Sequence, residues 1–395
     1  MNALGLYISV PFCTGKCTFC NFASDSFPKE RMGSYVDRLC GEIASNSRFA
    51  EENSLLLPDL VDSIFLGGGT PTLLQPEHLS RLFSALNAHF HVSSDAEITV
   101  EAAPGQIPDG VLATLLKGGV NRMSLGVQSF IDSESRAVGR SHTGASCRAE
   151  LDRLRSAGIQ NLNVDLIAGL PHQTAESWAE SLQQAIDSGV DHVSVYMLEV
   201  DEDSRLGREL IGPGVRYGAA ATPGEAQVAD LYTQACETLK NAGICQYEIS
   251  NFAREDHESR HNRKYWTRAP YVGFGLDAHS MLFDRSGTAA RFANGDELEP
   301  YIRNSDNREV ERIDPLASWE ETIFLGLRLS QGLLLPDLYR DYPSTWLEQL
   351  LSTVGVLSRE GLLRLEDDRV SLTQRGRLLS SSVFGELLAN EPVTI

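Results

Sequence analysis

Short apolar runs alternate along the chain with longer segments in which apolar residues recur every three or four positions. The first pattern is typical of buried β-strands and the second of amphipathic α-helices. Strands that alternate with helices at this spacing indicate βαβ units and a parallel sheet. The predicted strands are residues 6–10, 61–66, 97–101, 121–127, 163–168 and 192–198, and the predicted helices are residues 34–44, 77–89, 109–117, 145–157, 176–188 and 227–241.

This rhythm limits the fold class. Six units within about 200 residues are too few for a complete eight-unit barrel, which usually takes about 250 residues. We expect an α/β fold that is either an open, partial barrel or a doubly wound sheet. Both architectures place the active site at the carboxyl ends of the strands. The residues that follow each strand are therefore the candidates for chemistry.

The pattern changes towards the C-terminus. Helices are predicted at residues 319–329 and 345–351, a hairpin at 364–371, and a last helix from Thr373. This order resembles a small α+β winged-helix module. Such modules often bind DNA, but this one is not notably basic, so we expect a packing domain. We divide the chain into a core of residues 1–290 and an accessory domain of residues 291–395.

Composition narrows the classes of partner. The chain has 395 residues and a formal net charge of −20, which argues against a protein that grips nucleic acid phosphates or docks on an anionic membrane. No apolar run approaches the roughly 20 residues of a membrane span. Residues 1–10 lack the basic start of a signal peptide. We expect a cytoplasmic protein with reduced cysteines.

Three of the seven cysteines crowd into eight residues directly after the first predicted strand: Cys13, Cys17 and Cys20. A zinc site needs four ligands, usually in two pairs, and a redox C-x2-C pair would leave Cys13 unused. Three thiolates on a four-iron cluster leave one iron open, and we favour this interpretation. The remaining four are expected to be small core hydrophobes without a role: Cys40, Cys147, Cys236 and Cys245.

The C-x3-C-x2-C spacing, with Phe19 just before the third cysteine, resembles the signature of the radical S-adenosylmethionine superfamily. The resemblance implies a [4Fe-4S] cluster whose open iron chelates the amino and carboxylate groups of S-adenosylmethionine. Residues 67–72, GGGTPT, resemble the glycine motif of the superfamily. Consecutive glycines let the backbone approach the cofactor without an intervening Cβ.

Polar residues lie in or just beyond the other predicted strands: Glu101, Gln128, Arg140 and Asp165. An unpaired buried charge is costly. Internal ion pairing, for example of Glu101 with Arg140, is one explanation. The other, which we favour, is a polar ring at the barrel mouth that holds the ribose and methionine parts of the cofactor.

Further segments resemble one family within the superfamily, that of oxygen-independent coproporphyrinogen III oxidase and related haem chaperones. They are residues 7–13 (YISVPFC), 67–72, 124–130 (SLGVQSF), 165–171 (DLIAGLP) and 247–253 (YEISNFA). The resemblance implies a partial (β/α)6 barrel with a winged-helix-like C-terminal domain. It also implies a set of residues that contact S-adenosylmethionine: Tyr7, Phe19, Gly68, Gly69, Thr70, Glu101, Gln128, Arg140 and Asp165.

Three features distinguish the two branches of this family. The decarboxylating oxidase has a further cysteine two positions after the third, where this chain has Phe22, and a long arm before the first strand, where Tyr7 is nearly at the start. Residues 261–266, HNRKYW, resemble the haem-binding motif of the chaperones. The resemblance implies that His261 is an axial haem ligand beside two aromatic rings. Taken alone, the motif would indicate a surface histidine with aromatics at a core edge.

We therefore expect a haem chaperone that carries the cluster and S-adenosylmethionine. The resemblance implies haem-accepting proteins as partners, an electron donor such as flavodoxin or ferredoxin, and membrane association through acceptor proteins only. One alternative is radical decarboxylation of coproporphyrinogen III. A further alternative is radical-dependent opening or methylation of the haem ring.

Overall fold

The computed structural model describes residues 3–199, 204–212, 217–304 and 308–388. The strands are β1 (Leu4–Ser9), β2 (Leu55–Leu56), β3 (Leu60–Gly67), β4 (His91–Ala102), β5 (Arg122–Gln128), β6 (Asn161–Ala168), β7 (His192–Met197), β8 (Cys245–Gln246), β9 (Asn251–Ala253), β10 (Tyr271–Phe274), β11 (His279–Asp284), β12 (Ala289–Ala293), β13 (Glu311–Arg312), β14 (Leu333–Leu334), β15 (Leu363–Glu366) and β16 (Arg369–Leu372). The helices are α1 (Arg31–Glu52), α2 (Pro76–His89), α3 (Asp109–Lys117), α4 (Asp132–Ala137), α5 (Gly144–Ser156), α6 (Ala175–Asp187), α7 (Arg205–Ile211), α8 (Glu225–Asn241), α9 (Arg260–Trp266), α10 (Leu298–Ile302), α11 (Pro315–Arg328), α12 (Leu335–Asp341), α13 (Ser344–Arg359), α14 (Gln374–Leu378) and α15 (Ser380–Leu388).

One large sheet organises the first part of the chain. Within the described ranges its order is β13-β12-β11-β10-β1-β3-β4-β5-β6-β7-β9-β8, with β2 paired to β11. The strands from β10 to β7 are parallel to one another. The six predicted strands follow one another in chain order, as in a barrel, without the reversal of a doubly wound sheet. The path does not close on itself, so the predicted open, partial barrel is confirmed.

The two faces of this sheet differ in polarity. In β5, Met123, Leu125 and Val127 are fully buried in the apolar core shared with the surrounding helices. Arg122 and Ser124 alternate with them on the opposite, inward face. A parallel sheet with two apolar faces has nearly continuous hydrophobic strands. The alternation seen here marks the inward face as the side that carries polar side chains.

The sheet extends beyond the predicted strands. Strand β10 pairs with β1 in parallel, with Gly5 opposite Tyr271, and β11, β12 and β13 continue antiparallel from it. β10 was not predicted, since four residues do not show a period. Residue 290 lies inside β12, and the division of the chain after residue 290 stays a prediction.

The C-terminal part contains helices α11 to α15 and a three-stranded sheet of order β14-β16-β15. The predicted hairpin turns between Glu366 and Arg369, as expected. The helix predicted from Thr373 is in fact two helices, α14 and α15, and the Thr373 hydroxyl caps the first by accepting a hydrogen bond from the Gly376 amide. The glycine- and proline-rich sequence of residues 212–224 also predicts a loop, and residues 213–216 of it lie outside the described residues. None of the helices in the described ranges is long and apolar enough to cross a membrane.

Candidate functional site

The strands of the barrel are parallel and in register, so inward-pointing residues of neighbouring strands lie side by side. Each such row of register partners is called a level. The residues at the carboxyl end of one strand therefore lie beside those at the carboxyl end of the next. From the amino to the carboxyl ends of β1, β3 and β4, the three levels are Gly5, Ser63 and Glu97; Tyr7, Phe65 and Thr99; and Ser9, Gly67 and Glu101.

The three clustered cysteines lie in the loop that leaves the carboxyl end of β1. Backbone hydrogen bonds hold both ends of this loop. The Cys13 amide donates to the Asp25 carbonyl at 3.0 Å, and the Thr70 amide donates to the Phe12 carbonyl at 2.8 Å. Since Thr70 belongs to the turn after β3, the cysteine loop and the glycine turn form one unit at the barrel mouth.

All three thiols are partly exposed and unbonded to one another. Burial raises the pKa of both Cys13 and Cys17, while the positive charge of Arg140 lowers it at each. The hydroxyls of Ser24 and Thr70 also lower the pKa of Cys13. A thiol must lose its proton to bind metal, so a nearby guanidinium favours the ligating form. The structure therefore brings Arg140 to the cysteine loop.

The described cysteines are not gathered around one metal ion. Within the described ranges, no group of three or more His, Cys, Asp or Glu side chains is close enough to hold one metal ion. A structural zinc site gathers its ligands around a single ion. A four-iron cluster binds each thiolate through a different iron, which a wider arrangement of thiols allows.

The turn after β3 brings backbone close to the cysteine loop. Gly68 has φ +89°, a left-handed conformation that favours glycine. A Cβ at Gly69 would lie 2.6 Å from the Val10 carbonyl oxygen and 2.9 Å from that of Phe12. The glycines are thus required by close backbone packing, which also accounts for the position of Thr70 beside Cys13.

Glu101 is directed at this turn. The Gly68 amide donates a hydrogen bond to Glu101 Oε2 at 3.2 Å. Burial, with a further contribution from the charge of Asp165, raises the pKa of Glu101 to about 8. In the described part of the chain, the groups that act on the Glu101 carboxyl are Asp165, the Gly68 amide and Arg122; Arg140, considered from the sequence as its ion-pair partner, is not among them. A buried carboxyl group without an ion pair among these residues, at the mouth of a barrel, is suited to a cationic ligand group.

The other predicted residues lie on adjoining strands. Asp165 accepts hydrogen bonds from Ser124 Oγ at 3.2 Å and from Asn163 Nδ2 at 2.8 Å. Burial raises the pKa of Asp165, and these hydrogen bonds oppose that rise. The side chains of Gln128 and Arg140 meet over Gly126, where an added Cβ would lie 3.0 Å from Gln128 Nε2 and 3.4 Å from an Arg140 nitrogen.

Phe19 lies on one wall of the mouth. Its ring packs against a small apolar cluster that contains Val138, Ile167 and Leu170. This contact fixes the cysteine loop to the ends of β6 and the segment after α4. The same loop is held from another side, where the Leu206 amide of α7 donates to the Thr18 carbonyl at 2.9 Å.

His261 is not brought together with these residues. It lies on α9, at the level of Ser63 and Glu97 and therefore towards the amino ends of the strands. Its side chain is buried, with 1% of the residue exposed. The cysteine loop and the predicted haem motif thus occupy opposite ends of the barrel interior.

Sequence reasoning missed a network of inward polar residues below the mouth. His192 lies 2.6 Å from Asn163 Oδ1 through Nδ1 and 2.9 Å from the Tyr247 hydroxyl through Nε2. Arg122 is 2% exposed among them. The available signal was a polar residue at every second position of otherwise apolar strands. The missed inward residues are Glu97, Arg122, Ser124, Asn163, His192 and Ser194.

The residues at the mouth fit the cofactors that the cysteine pattern implies. The Gly67–Gly69 turn has no side chains, and a Cβ at Gly67, Gly68 or Gly69 would lie 2.9, 3.0 or 2.6 Å from atoms of the chain itself, so only backbone faces the mouth here. Arg140 Nε is buried without a hydrogen-bond partner in the described part of the chain. Three thiols, an unpaired carboxyl group and a partly unpaired guanidinium therefore converge where a cluster and a zwitterionic ligand could be held.

Comparison with protein families agrees with this geometry. The Radical SAM superfamily profile matches residues 7–185, and the HemN C-terminal domain profile matches residues 313–379. The chain is 32% identical to "Heme chaperone HemW" of Bacillus subtilis, over 97% of this chain and 98% of that protein. It is 34% identical to the protein of the same name from Synechocystis, over 83% and 78% of the two chains.

Two further comparisons concern a mitochondrial relative and a solved structure. "Radical S-adenosyl methionine domain-containing protein 1, mitochondrial" of Mus musculus is 30% identical over 97% of this chain and 87% of its own. The solved structure of coproporphyrinogen III oxidase (HemN) from Escherichia coli aligns with a TM-score of 0.82 at 25% identity, covering 98% of this chain and 90% of that one. The similarity to the HemW protein of Bacillus subtilis reaches 32% identity over nearly the full length of both chains. This chain therefore belongs to the HemW family of radical S-adenosylmethionine proteins.

Proposed function

We propose that this chain is a haem chaperone that carries a [4Fe-4S] cluster and S-adenosylmethionine, binds haem and delivers it to acceptor haemoproteins. The observation that carries the proposal is the 32% identity to a protein named heme chaperone HemW, over 97% of this chain. The cytoplasm is the compartment that suits three reduced thiols at an exposed loop.

The residues of the mouth have distinct roles in this proposal. Cys13, Cys17 and Cys20 would bind three irons of the cluster and leave the fourth for the cofactor. The chemistry that the bound pair supplies is one-electron cleavage of the sulfonium group. Glu101 would accept the amino group of the cofactor, because a cation favours the ionised carboxylate in this buried position.

The remaining mouth residues would orient the cofactor. Asp165 is held by Ser124 and Asn163, so its carboxylate is fixed in a position to accept hydrogen bonds from ribose hydroxyls. Arg140 and Gln128 would contact the carboxylate end. Tyr7 would line the cavity below the Gly68 turn, since its hydroxyl is 3.0 Å from the position of a Cβ on Gly68.

Electron delivery is part of the same proposal. The cysteine loop reaches the surface at Phe22, which is 64% exposed. A small electron carrier such as flavodoxin or ferredoxin could dock there close to the thiols. Phe22 also occupies the position at which the decarboxylating branch of the family has an additional cysteine.

The sequence resemblance implies that His261 is the axial ligand of haem, and this assignment can be examined separately from haem binding. In this structure both ring nitrogens of His261 have partners, Ser63 Oγ at 3.1 Å and the Tyr265 hydroxyl at 2.9 Å. Axial ligation needs a free nitrogen with open space beside it. The His261 environment does not fit haem, and no step of the proposed function depends on that ligand.

A second candidate function is radical decarboxylation of coproporphyrinogen III. The observation in its favour is the TM-score of 0.82 with the oxidase from Escherichia coli. The two functions make different demands on the substrate. The oxidase consumes a porphyrinogen and S-adenosylmethionine together, whereas a chaperone returns its haem unchanged.

The test begins with anaerobic reconstitution, which should give about four irons per chain for one cluster. The protein is then titrated with haem and followed by the Soret band. The haem-loaded protein is mixed with an apo-haemoprotein of the respiratory type, at several concentrations of each. Direct delivery predicts a transfer rate that rises with acceptor concentration, whereas simple dissociation gives a rate that does not.

The same measurements are made on Cys17→Ser, which removes a proposed cluster ligand. Its matched control is Cys245→Ser, because Cys245 is an exposed residue of β8 far from the cysteine loop in sequence. Absence of a Soret change, or transfer no faster than haem release into buffer, would contradict the chaperone function. Formation of vinyl-bearing product from coproporphyrinogen III by the same preparation would establish the second candidate instead.

A further inference from the structure

Helix α9 closes the barrel at the end opposite to the cysteines. Lys264 Nζ donates a hydrogen bond to the Ala3 carbonyl at 2.7 Å and pairs with Asp62 at 2.7 Å. A Cβ at Gly5 would lie 2.6 Å from Lys264 Cδ. The lysine stem therefore occupies the space that glycine leaves in β1. These contacts seat the helix against the amino ends of β1 and β3.

The start of α9 is tied to β4. The amides of Arg260 and His261 each donate to the Glu97 carboxylate at 3.2 Å, and Ser259 Oγ donates to it at 3.3 Å. A carboxylate at a helix N-terminus satisfies amides that lack partners within the helix. Three strands of the barrel thus hold a helix of seven residues.

His261 points from this helix into the barrel. Its two ring nitrogens are shared between Ser63 and Tyr265, as described above, so the imidazole has no free ligating atom. Burial, reinforced by the charge of Lys264, lowers the pKa of His261 to about 3. The ring is thus neutral and serves as a hydrogen-bonded part of the interior.

Aromatic rings connect His261 to the level of the mouth. The His261 ring stacks on Phe65 with 5.5 Å between centroids, and Tyr7 lies 6.4 Å from His261 and 6.2 Å from Phe65. Tyr7 and Phe65 are register partners on β1 and β3. The Tyr7 hydroxyl reaches the Gly68 turn. A continuous packed column therefore runs from α9 to the proposed cofactor site.

The outer side of the same helix contacts the C-terminal part. The Arg328 guanidinium lies 4.4 Å from the centre of the Trp266 ring. Arg268, just beyond the helix, pairs with Glu321 at 3.2 Å and donates to Ser318 and Thr322 at 2.9 Å each. Residues of the H-N-x-x-Y-W motif thus contact the barrel interior on one side of α9, through His261, and the C-terminal part on the other, through Trp266.

We infer that α9 is the floor of the S-adenosylmethionine cavity, that His261 is a positioning residue which supports Tyr7 from below, and that haem is ligated elsewhere. The inference rests on the proposed cofactor site at the mouth. It differs from the role that the sequence resemblance implies for the motif. Three observations support the inference: the His261 imidazole is buried, both of its nitrogens have hydrogen-bond partners, and it lies at the end of the barrel opposite to the cysteines.

The test compares four variants of the reconstituted full chain with wild type. His261→Ala removes the floor contact and the imidazole together. His261→Gln restores an amide that can bond Ser63 and Tyr265 but is a poor haem ligand. Phe65→Leu disturbs the column and keeps the imidazole. His89→Ala, an exposed histidine at the end of α2, is the matched control. The readouts are the haem dissociation constant and the change that S-adenosylmethionine produces in the electron paramagnetic resonance spectrum of the reduced cluster.

The expected result has two parts. Haem affinity in His261→Gln stays within threefold of wild type. The spectral response to S-adenosylmethionine is altered in His261→Ala and Phe65→Leu, and is restored in His261→Gln. His261→Ala could also lower haem affinity by disturbing the packing of α9. In that case Phe65→Leu lowers haem affinity as well, because it disturbs the same packing.

Two results would overturn the inference. One is a loss of haem affinity of tenfold or more in both His261 variants with normal affinity in Phe65→Leu, since only the imidazole distinguishes them. The other is an unchanged spectral response in both His261→Ala and Phe65→Leu. A wild-type protein that binds no haem would contradict the chaperone function. The electron paramagnetic resonance response to S-adenosylmethionine would still decide whether α9 and His261 support the cofactor site.

Discussion

The Gly68 amide donates a hydrogen bond to the buried carboxylate of Glu101, with 3.2 Å between the two atoms. This bond joins the turn after β3 to the end of β4, and it is the one direct polar contact between the glycine motif and the polar ring among the described residues. The pair therefore defines where a cationic group of a ligand would be received.

Glu101 should make stability depend on pH. Its pKa of about 8 in the folded chain lies above the usual value near 4.3 for an unfolded chain. The folded protein thus binds this proton more tightly. The stabilising effect is complete below the unfolded pKa and is lost as pH rises through about 8. The melting temperature of the metal-free chain should fall between pH 6 and pH 9, by on the order of 2 °C or more.

Glu101→Gln is the matching variant, because it keeps the size and the hydrogen-bond acceptor and removes the proton equilibrium. Its melting temperature should be flatter across the same pH range. S-adenosylmethionine binding should also weaken in this variant and lose its increase towards pH 8. An identical pH profile in both proteins would show that the carboxyl group titrates normally.

Gly69→Ala should destabilise the fold, since the added methyl group would lie 2.6 Å from the Val10 carbonyl oxygen. Overpacking of this kind costs about 1–3 kcal/mol, measurable by urea unfolding. Gly15→Ala is the control in the neighbouring cysteine loop, where an added Cβ has no heavy atom within 4 Å. Equal stability of the two variants would mean that the turn moves freely away from the loop.

Cys17→Ser should abolish cluster assembly, because the hydroxyl group does not provide the thiolate that binds iron. The expected iron content falls from about four per chain to near zero after anaerobic reconstitution. Cys40→Ser should retain the iron, since Cys40 lies on α1 and packs beside the apolar core. Full iron content in Cys17→Ser would remove this residue from the ligand set.

Arg268→Met should weaken the joint between α9 and the C-terminal part. The Arg268 side chain is 12% exposed and pairs with Glu321, which is 14% exposed, so the variant leaves this carboxylate with Arg291 as its remaining partner at 2.9 Å. Loss of a hydrogen bond to a charged group costs about 1.5–3 kcal/mol. Arg340→Met is the control, because Arg340 pairs with two carboxylates at the surface. Chemical unfolding should show a lower midpoint for the first variant and no change for the second.

Periodicity alone located the central elements of the fold. The strand predicted at residues 163–168 is β6, Asn161–Ala168, and the helix predicted at 109–117 is α3 with the same bounds. These elements are long and bury one face, so their pattern is strong. Strand β10 was not predicted because its four residues are too few to show a period. It is stabilised by pairing with β1, which lies about 260 residues away in the sequence.

The candidate site was found where strands end and polar residues follow. Cys13, Gly68, Glu101 and Gln128 come together because parallel strands in register present their carboxyl ends at one edge. The sequence by itself determined the cysteine spacing, the glycine turn and the identity of these residues. The tertiary structure alone decided that the H-N-x-x-Y-W motif lies at the opposite end of the barrel, beside Ser63 and Glu97. The placement of His261 depends on contacts with Ser63, Glu97 and Phe65 that are far from it in the chain, and such contacts leave no local pattern in the sequence.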